Sequence, residues 1–546
     1  MLGKVEPNHT LMASPRYTSP ERQRAVLLTG TDTVSALRTF KLCIGHRLSM
    51  FNACLRHLVS NQTGKEYALT RPLLSDLHAD AAQLEEMLDA YGARNNAQWF
   101  AFRERIAATK AFADIGYKLL HLLRFHSSYQ LRGAATTFAK DTRDVLKYVQ
   151  DVLTILLREL QTCALELAIA SNHSATARQG EFDEVVPPGR LPYDRKARHV
   201  ESAQETVIRL ASAFLHLGAE SDILHIETNV DDSSYSMCVP DPINEAAMRD
   251  LEYRFHNLQS QYDTYVSDTD QEHHDPNLIL LRGHITTVFH LLELATAFVH
   301  FYERHILEAE NEVNQSLEYA VDSCQLLHHT FRYCLAYAAR YVDSGRKLCQ
   351  HMLRTYAKIE RALLPVPRYR GFHVRPSTLI ARIVRHYGLE VSVELMGERY
   401  DASIPMELFR ANEVLNAEKR KHIADAINQL QLQDRKVQSA GQMTRQIRNA
   451  VLQLAEQNKL VIYEHPLDLE QLPHPGDDES FGFYLTEAIA RLMALGKIDS
   501  ESKQTVAFIG DRRVLQDIRI LAQHGYGEDR LGHNIPLPPQ LSYLHR

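Results

Sequence analysis

Several features that define large classes of proteins are scarce or missing in this sequence. Its 546 residues include seven cysteines, which are scattered and form no CxxC pair or Cys/His cluster with the spacing of a zinc site. The sequence therefore predicts reduced thiols in the cytoplasm and no bound metal. It has no run of about twenty consecutive apolar residues, and residues 1–19 lack the hydrophobic core of a signal peptide. Neither a membrane span nor a leader is predicted.

Charge and motif content exclude further functions. The net charge of −7 argues against nucleic acid as the principal ligand. The sequence has no P-loop, no GxGxxG ahead of a helix, no GxSxG and no HExxH, so it offers no cofactor site of those kinds. Histidine is abundant, with 28 residues. Adjacent pairs such as His273-His274 and His328-His329 nevertheless point about 100° apart on a helix and chelate a metal poorly. We do not expect an enzyme in its own right.

Long amphipathic segments dominate the first two thirds of the chain, and strand signals are few. Apolar residues recur at helical spacing over 20–60, 71–92, 96–131, 134–172, 200–226, 244–266, 278–306 and 309–363. The last segment is the most regular and predicts one long helix that extends to about Leu363. Together the segments predict an elongated α-helical bundle over 19–363, preceded by a flexible tail at 1–18.

The hexapeptide GFHVRP, residues 371–376, stands out beyond the bundle. An apolar stripe at helical spacing follows it, and proline is tolerated in a first helical turn, so a helix is expected from Val374 with His373 at its N-cap. The first N–H groups of a helix and the positive end of its dipole attract anions, phosphate included. Arg375 adds a planar cation that binds phosphate oxygens in pairs. A phosphoryl group on His373 would be stabilised by both.

The residues behind this hexapeptide predict a β-hairpin and another helix. After Gly388 come a strand through Leu395, a turn at Gly397 and a short strand to Tyr400, and a helix then opens near Ser403. The GxHxRP pattern followed by this order of elements resembles the histidine-containing phosphocarrier (HPr) family of the bacterial sugar phosphotransferase system.

The resemblance covers about 371–409 and implies a C-terminal α+β domain of the open-faced sandwich type. It implies that His373 is the phosphoryl acceptor and that Arg375 stabilises the phosphate. It also implies that the backbone N–H groups of Val374 and Arg375 contact the phosphate.

Two positions depart from the family pattern. Ile404 occupies the place of the family's regulatory serine, with Ser403 one residue earlier as a secondary candidate. Glu407 occupies the place of a usual glycine and adds negative charge to the expected docking helix. We therefore do not expect the serine kinase of that system to modify this chain.

The family pattern also requires a first strand just before Gly371, and one more strand with a final helix after the hairpin. Two segments qualify as the last strand, 459–463 and 505–510. The second is favoured because a helical pattern follows at once behind Asp511, a good N-cap, and the first remains the alternative. The predicted HPr-like domain thus spans 364–546, with a core at 366–417 and 504–525, a helical insertion at about 418–503 and a C-terminal tail at 526–546.

The fold class predicted is therefore multidomain and mainly α, and the function follows from the resemblance. It implies a phosphocarrier-like regulatory protein that accepts a phosphoryl group on His373 from a phosphohistidine donor, such as enzyme I of the phosphotransferase system. The bundle would be a regulatory or partner-binding module. The alternative is a degenerate HPr-like scaffold protein without phosphotransfer. No cofactor is implied, the acceptor is not identified, and a homo-oligomer is left open.

The link between the two regions is short and contains Pro365 and Pro367, which restrict the backbone. We therefore expect the second domain to lie close to the end of the long helix. Arg361, Arg368 and Arg370 lie just upstream of the hexapeptide and are candidates to meet the charge of a phosphoryl group. The alternative is that they only solvate the junction.

Overall fold

The computed structural model describes residues 30–61, 67–126, 135–170, 182–184, 203–307, 320–429, 440–463, 467, 469, 481–500 and 504–544. The tail predicted at 1–18 and the start of the first predicted helix lie outside the described residues.

Long helices form the region before residue 308. They are α1 (Gly30–Ser60), α2 (Arg71–Ala90), α3 (Phe100–Phe125), α4 (Ala135–Glu166), α5 (Ala203–Glu220), α6 (Glu245–Tyr265) and α7 (Pro276–Phe301). Each corresponds to a segment predicted from apolar spacing. Their starts follow the sequence caps: Thr70 accepts from the N–H of Leu73 at 3.4 Å, and Asn244 accepts from the N–H of Ala247 at 2.8 Å. The apolar stripes of these helices are buried against one another. The described chain is mainly helical.

The prediction of a single helix over 309–363 was wrong. The described part of this segment consists of a short helix (Ser323–His328), a π-helical stretch (His329–Leu335), α8 (Ala336–Thr355) and a strand, β1 (Ile359–Pro365). In β1 the alternate residues Ala362 and Leu364 are buried. Spacing of apolar residues over so short a run fits a helix and a strand equally well, so the sequence did not distinguish them.

The remaining strands are β2 (Val391–Leu395), β3 (Glu398–Asp401), β4 (Leu460–Ile462), β5 (Ile498–Ser500) and β6 (Thr505–Asp511). Four of them form an antiparallel sheet in the order β1-β6-β2-β3, and β4 pairs with β5 in a separate two-stranded sheet. Phe508 of β6 lies opposite Ala362 of β1 on one side and Val393 of β2 on the other. Of the two candidates for the last strand, 505–510 therefore joins the larger sheet. The boundary predicted before residue 364 falls inside β1.

The helices of this region are α9 (Val374–Tyr387), α10 (Pro405–Gln429), α11 (Ala440–Glu456), α12 (Phe481–Ala494) and α13 (Arg512–Gln523). Helices α10 and α13 pack on the four-stranded sheet, and α9 packs against both of these helices. We call the four strands and these three helices the sheet unit. Ile359 and Leu363 are 64 % and 62 % exposed, because they point to the uncovered face.

The segment between α10 and β6 forms a second cluster with its own hydrophobic core. The end of α10, together with α11 and α12, buries Leu454 and Leu485 completely. The prediction of a helical insertion at about 418–503 omitted the small β4–β5 sheet, whose strands have three residues each.

The sheet unit lies against the end of α8, as the short link predicts. The side-chain amide of Gln350 donates to the carbonyl of His386 at 2.9 Å, and Nε of Arg354 donates to the carbonyl of Gly388 at 2.9 Å. Buried apolar residues continue without interruption from the bundle into the sheet unit. The two regions therefore share one core, whereas the insertion has a separate one.

One described helix meets the length and composition criteria for a membrane span, although the sequence analysis identified none. It comprises α7 and its continuation, Pro276–Leu307, and 72 % of its most apolar window is buried inside the protein. Leu281, Val288 and Leu292 have no exposed surface. Burial against neighbouring helices accounts for the apolar character of this helix.

Candidate functional site

His373 occupies the N-cap of α9, where the sequence predicts it. Its backbone is extended, with φ −82° and ψ −168°, and helical geometry begins at Val374. The side chain of His373 makes no capping hydrogen bond. The N–H groups of the first helical turn are therefore not occupied by their own cap, and they lie at the positive end of the helix dipole.

Gly371 sets the direction in which the chain enters this helix. Its φ is +65°, a conformation that L residues rarely adopt. A Cβ at this position would lie 2.1 Å from Oδ1 of Asn412. Asn412, on α10, accepts from the N–H of Phe372 at 2.9 Å and donates to the carbonyl of Arg370 at 3.0 Å. Only glycine allows the amide to approach so closely, and the amide in turn fixes the loop that carries His373.

Both ring nitrogens of His373 face oxygen atoms. Nδ1 lies 3.0 Å from the carbonyl oxygen of Gly371, and Nε2 lies 3.1 Å from Oε1 of Glu528. A neutral imidazole has one N–H and can donate to only one of them, whereas an imidazolium donates to both. Glu528 thus selects the tautomer with the proton on Nε2 whenever the ring is neutral.

Glu528 is nearly buried, with 6 % of its side chain exposed, against 22 % for His373. Burial raises the pKa of the Glu528 carboxyl, while the neighbouring His373 and Arg375 act in the opposite direction. The carboxylate therefore depends for its charge on the hydrogen bond with Nε2 of His373 and on the positive charge of Arg375.

Arg375 anchors the segment that carries Glu528. Its Nε donates to the carbonyl of Gly527 at 3.0 Å. No hydrogen bond or ion pair joins its two Nη atoms to other described residues. The guanidinium is thus held by one edge, and the other edge can bind an anion.

His373 also lines a cavity of about 420 Å³ between the sheet unit and the insertion. Arg370 and Arg420 line the same cavity, as do Met493 and Ala494 from the end of α12. The carboxylates of Glu413 and Asp499 line it as well, so the wall carries charges of both signs. The cavity thus places two arginines and two carboxylates in the same wall as the imidazole.

The other residues expected at the site do not all lie there. Of the basic run, Arg370 lines the cavity, whereas Nε of Arg361 lies 3.9 Å from Glu394 on the uncovered face of the sheet. Arg368 is exposed and contributes its carbonyl to Tyr463. Ser403 lies at the start of α10, where its carbonyl accepts from Arg385 at 2.8 Å, and it is not part of the cavity wall.

Sequence reasoning missed three residues of the site, namely Glu528, Asn412 and Arg420. Glu528 directly follows Gly525-Tyr526-Gly527, a turn signal that indicates a fixed loop, but nothing in the sequence connects that loop to His373. Asn412 and Arg420 lie in a helical pattern and carry no signal of their own. These residues meet His373 only because α10 and the C-terminal segment fold back over the start of α9.

No family model matches the chain, and no curated protein or solved structure matches it either.

Proposed function

We propose that this protein is a phosphocarrier-like regulatory protein with an HPr-like domain, which accepts a phosphoryl group on His373 from a phosphohistidine donor protein. The observation that supports this most is the placement of His373 at an uncapped helix N-terminus, against the carboxylate of Glu528, in a segment that the guanidinium of Arg375 binds. Imidazole is nucleophilic when neutral near pH 7, so a histidine in this position suits phosphoryl transfer.

The order of elements around His373 supports an HPr-like fold for the sheet unit. The chain passes in order through a strand, the GxHxRP site, a helix, a hairpin, a helix, a strand and a final helix, which is the order that the resemblance implies. The insertion lies between α10 and β6. The four strands are antiparallel and helices cover one face only. The domain boundary lies before β1, at about residue 356.

The proposed step needs no group beyond the two proteins. Nε2 of His373 keeps its proton toward Glu528, so the lone pair of Nδ1 attacks phosphorus. A new N–P bond forms as the N–P bond of the donor breaks, and the donor imidazole regains that electron pair. The carbonyl of Gly371 must therefore move away from Nδ1, so that the phosphoryl group lies beside the first N–H groups of α9. Those N–H groups and Arg375 then bind the phosphoryl oxygens.

The test is transfer of phosphate from phosphoenolpyruvate through purified enzyme I to the full-length chain, followed by mapping of acid-labile phosphate by mass spectrometry. Label is expected on His373 and on none of the other 27 histidines, out of 28 in the chain. His373→Ala should abolish labelling, and His422→Ala, an exposed histidine of α10, should not change it. Full labelling of His373→Ala would contradict the assignment.

A second function, that of a scaffold without phosphotransfer, is favoured by one observation. The insertion and Glu528 leave only 22 % of the His373 side chain exposed, so a protein donor meets a partly covered imidazole. Under this function the chain stays unlabelled with every donor, although it folds and binds its partners.

A further inference from the structure

Strand β1 lies at one end of the four-stranded sheet, and its outer edge has no partner strand. It stands first in the strand order β1-β6-β2-β3, so only one of its two edges meets another strand. The edge of a strand presents N–H and C=O groups that can pair with a further strand, and natural proteins usually cover such an edge or disrupt it. β1 has seven residues, which is long enough to accept a partner strand.

The hydrogen bonds at the two ends of the β1–β6 ladder show which residues face outward. The N–H of Val366 donates to the carbonyl of Gln504 at 2.9 Å, and the N–H of Arg512 donates to the carbonyl of Lys358 at 2.9 Å. The register is continuous between these bonds, and in an antiparallel ladder hydrogen-bonded pairs alternate with pairs that are not bonded. The even-numbered residues of β1 therefore direct their main-chain groups toward β6. The residues with outward N–H groups are Ile359, Arg361 and Leu363.

This outer edge is open as far as the structure describes the chain. No described group forms a hydrogen bond with the N–H of Ile359, Arg361 or Leu363, and the side chains of all three residues are exposed. The edge is closed only at Pro365, where Oη of Tyr526 donates to the carbonyl at 2.6 Å. The free part of the edge thus runs over 359–363 and is centred on Arg361.

The free edge is complementary to a second copy of itself. In a twofold interface each contact of one residue with another occurs twice, once in each direction. Antiparallel pairing of two copies with the axis at Arg361 places Ile359 of each copy opposite Leu363 of the other. Every outward N–H over 359–363 then faces an outward carbonyl of the second copy. A shift of two residues toward Pro365 would instead place Ile359 opposite a residue without an N–H.

The side chains on this edge both favour and limit such pairing. Ile359 and Leu363 are the exposed apolar residues of β1, and pairing covers each of them with the other. The two Arg361 side chains meet at the axis and repel each other, because like charges directly opposite destabilise a strand pair. Nε of Arg361 lies 3.9 Å from Glu394 of its own sheet, which reduces this repulsion. The pairing should therefore be reversible.

The helices that cover the sheet leave room for this arrangement. α13 packs on both β1 and β6, so it lies above the space between these two strands. Adjacent strands are about 4.8 Å apart, which would place the two copies of α13 about 10 Å apart across the axis. Helices in proteins pack at separations of about 8–10 Å, so the two copies of α13 can lie side by side.

We propose that the outer edge of β1 is a homodimer interface, in which two copies of this chain pair antiparallel about a twofold axis at Arg361. The four strands of each copy then form one continuous sheet. Main-chain hydrogen bonds supply most of the affinity, and the contacts between Ile359 and Leu363 fix the register. This interface is independent of phosphotransfer at His373.

The experiment is sedimentation of the full-length protein from about 1 μM to about 1 mM, the range in which a weak dimer becomes populated. A reversible equilibrium between monomer and dimer is expected. Amide hydrogen exchange over 359–363 should slow as the dimer forms, because pairing protects the outward N–H groups. A chain that stays monomeric throughout would overturn the proposal and would leave this edge to a strand of another protein. A dimer that forms without any change in exchange over 359–363 would overturn it too.

Two variants test the contacts at this edge, and they act in opposite directions. Leu363→Lys should weaken the dimer at least about tenfold, because it replaces an apolar contact by a charge at an exposed position. Arg361→Thr should strengthen the dimer about two- to fivefold, because it removes the repulsion at the axis. Met237→Lys is the matched control, since Met237 is 80 % exposed and lies in the helical region.

Thermal unfolding establishes that each variant is folded. A dimer as strong in Leu363→Lys as in the wild type would contradict the assignment to β1. A weaker dimer in Arg361→Thr would contradict a twofold axis at that residue. Equal weakening in Met237→Lys would show a general effect of added charge and would remove the evidence for this edge.

Discussion

Glu528 contacts Nε2 of His373 at 3.1 Å, although 155 positions separate the two residues in the chain. The carboxylate is carried by the segment behind α13, which Arg375 fixes through the carbonyl of Gly527. Arg375, two positions after His373, thus holds in place Glu528, the residue that orients the ring of His373. This relationship makes Glu528 a positioning residue for any chemistry at Nδ1.

Replacing Glu528 by glutamine should slow phosphoryl transfer to His373 about tenfold, since a neutral amide accepts more weakly than a carboxylate. Burial raises the pKa of Glu528, so the wild-type carboxylate is protonated at a higher pH than an ordinary glutamate. The rate of transfer to the wild type should therefore fall as the pH drops through that pKa. The rate for the variant should not fall in that range, because glutamine does not titrate. The measurement is the initial rate of labelling between pH 4.5 and 8, with Glu390→Gln, an exposed residue, as control. Identical profiles for wild type and Glu528→Gln would exclude the role.

Replacing Arg375 by alanine should reduce transfer about 10- to 150-fold, which corresponds to a charge-assisted contact of about 1.5–3 kcal/mol. Arg375→Lys should be intermediate, because lysine keeps the charge but not the paired N–H geometry. Rates are compared at equal donor concentration, and thermal unfolding establishes that both variants are folded. A rate equal to that of the wild type in Arg375→Ala would remove Arg375 from the mechanism.

Replacing Gly371 by alanine should destabilise the protein and impair the site. The residue has positive φ, which costs about 1–3 kcal/mol for a side chain, and its Cβ would displace Asn412. Gly397→Ala is the matched control, since Gly397 also has positive φ but has nothing within 4 Å of a Cβ. Thermal unfolding should show a larger loss for Gly371→Ala than for Gly397→Ala. Equal losses would mean that the contact with Asn412 contributes nothing.

His386 should make the contact between the bundle and the sheet unit sensitive to acid. Its ring stacks on Tyr543 at 4.1 Å and on His216 of α5 at 4.9 Å. Burial, with the nearby charges of His216 and Arg346, lowers the pKa of His386 from 6.5 to about 3.

A histidine with a lowered pKa in the folded state stabilises the fold above its unfolded pKa, and this stability is lost as the pH falls below 6.5. The loss between pH 7.5 and pH 5 is about 2 kcal/mol for this residue. His386→Phe keeps a stacking ring without a titrating group, so its free energy of unfolding should depend less on pH in that range. Chemical denaturation at both pH values measures this, with the exposed His422→Gln as control. An unchanged slope in His386→Phe would refute the attribution.

The sequence by itself determined the local features of this protein. Helical periodicity placed α1 to α7, since an amphipathic stripe depends on residues only a few positions apart. The same locality placed His373 at the start of α9 and singled out 505–510 as a strand joined tightly to a helix. Periodicity gave the wrong prediction at β1, because a run of seven residues is too short to distinguish the apolar spacing of a helix from that of a strand.

Tertiary structure decided which distant residues meet. Glu528, Asn412 and Arg420 reach His373 because the C-terminal segment and α10 pack against α9, and no short-range pattern encodes that packing. Spacing along the chain reports the conformation of one segment. Burial, pairing of charges and the shape of a cavity depend on several segments at once, and these properties are what the proposed sites consist of.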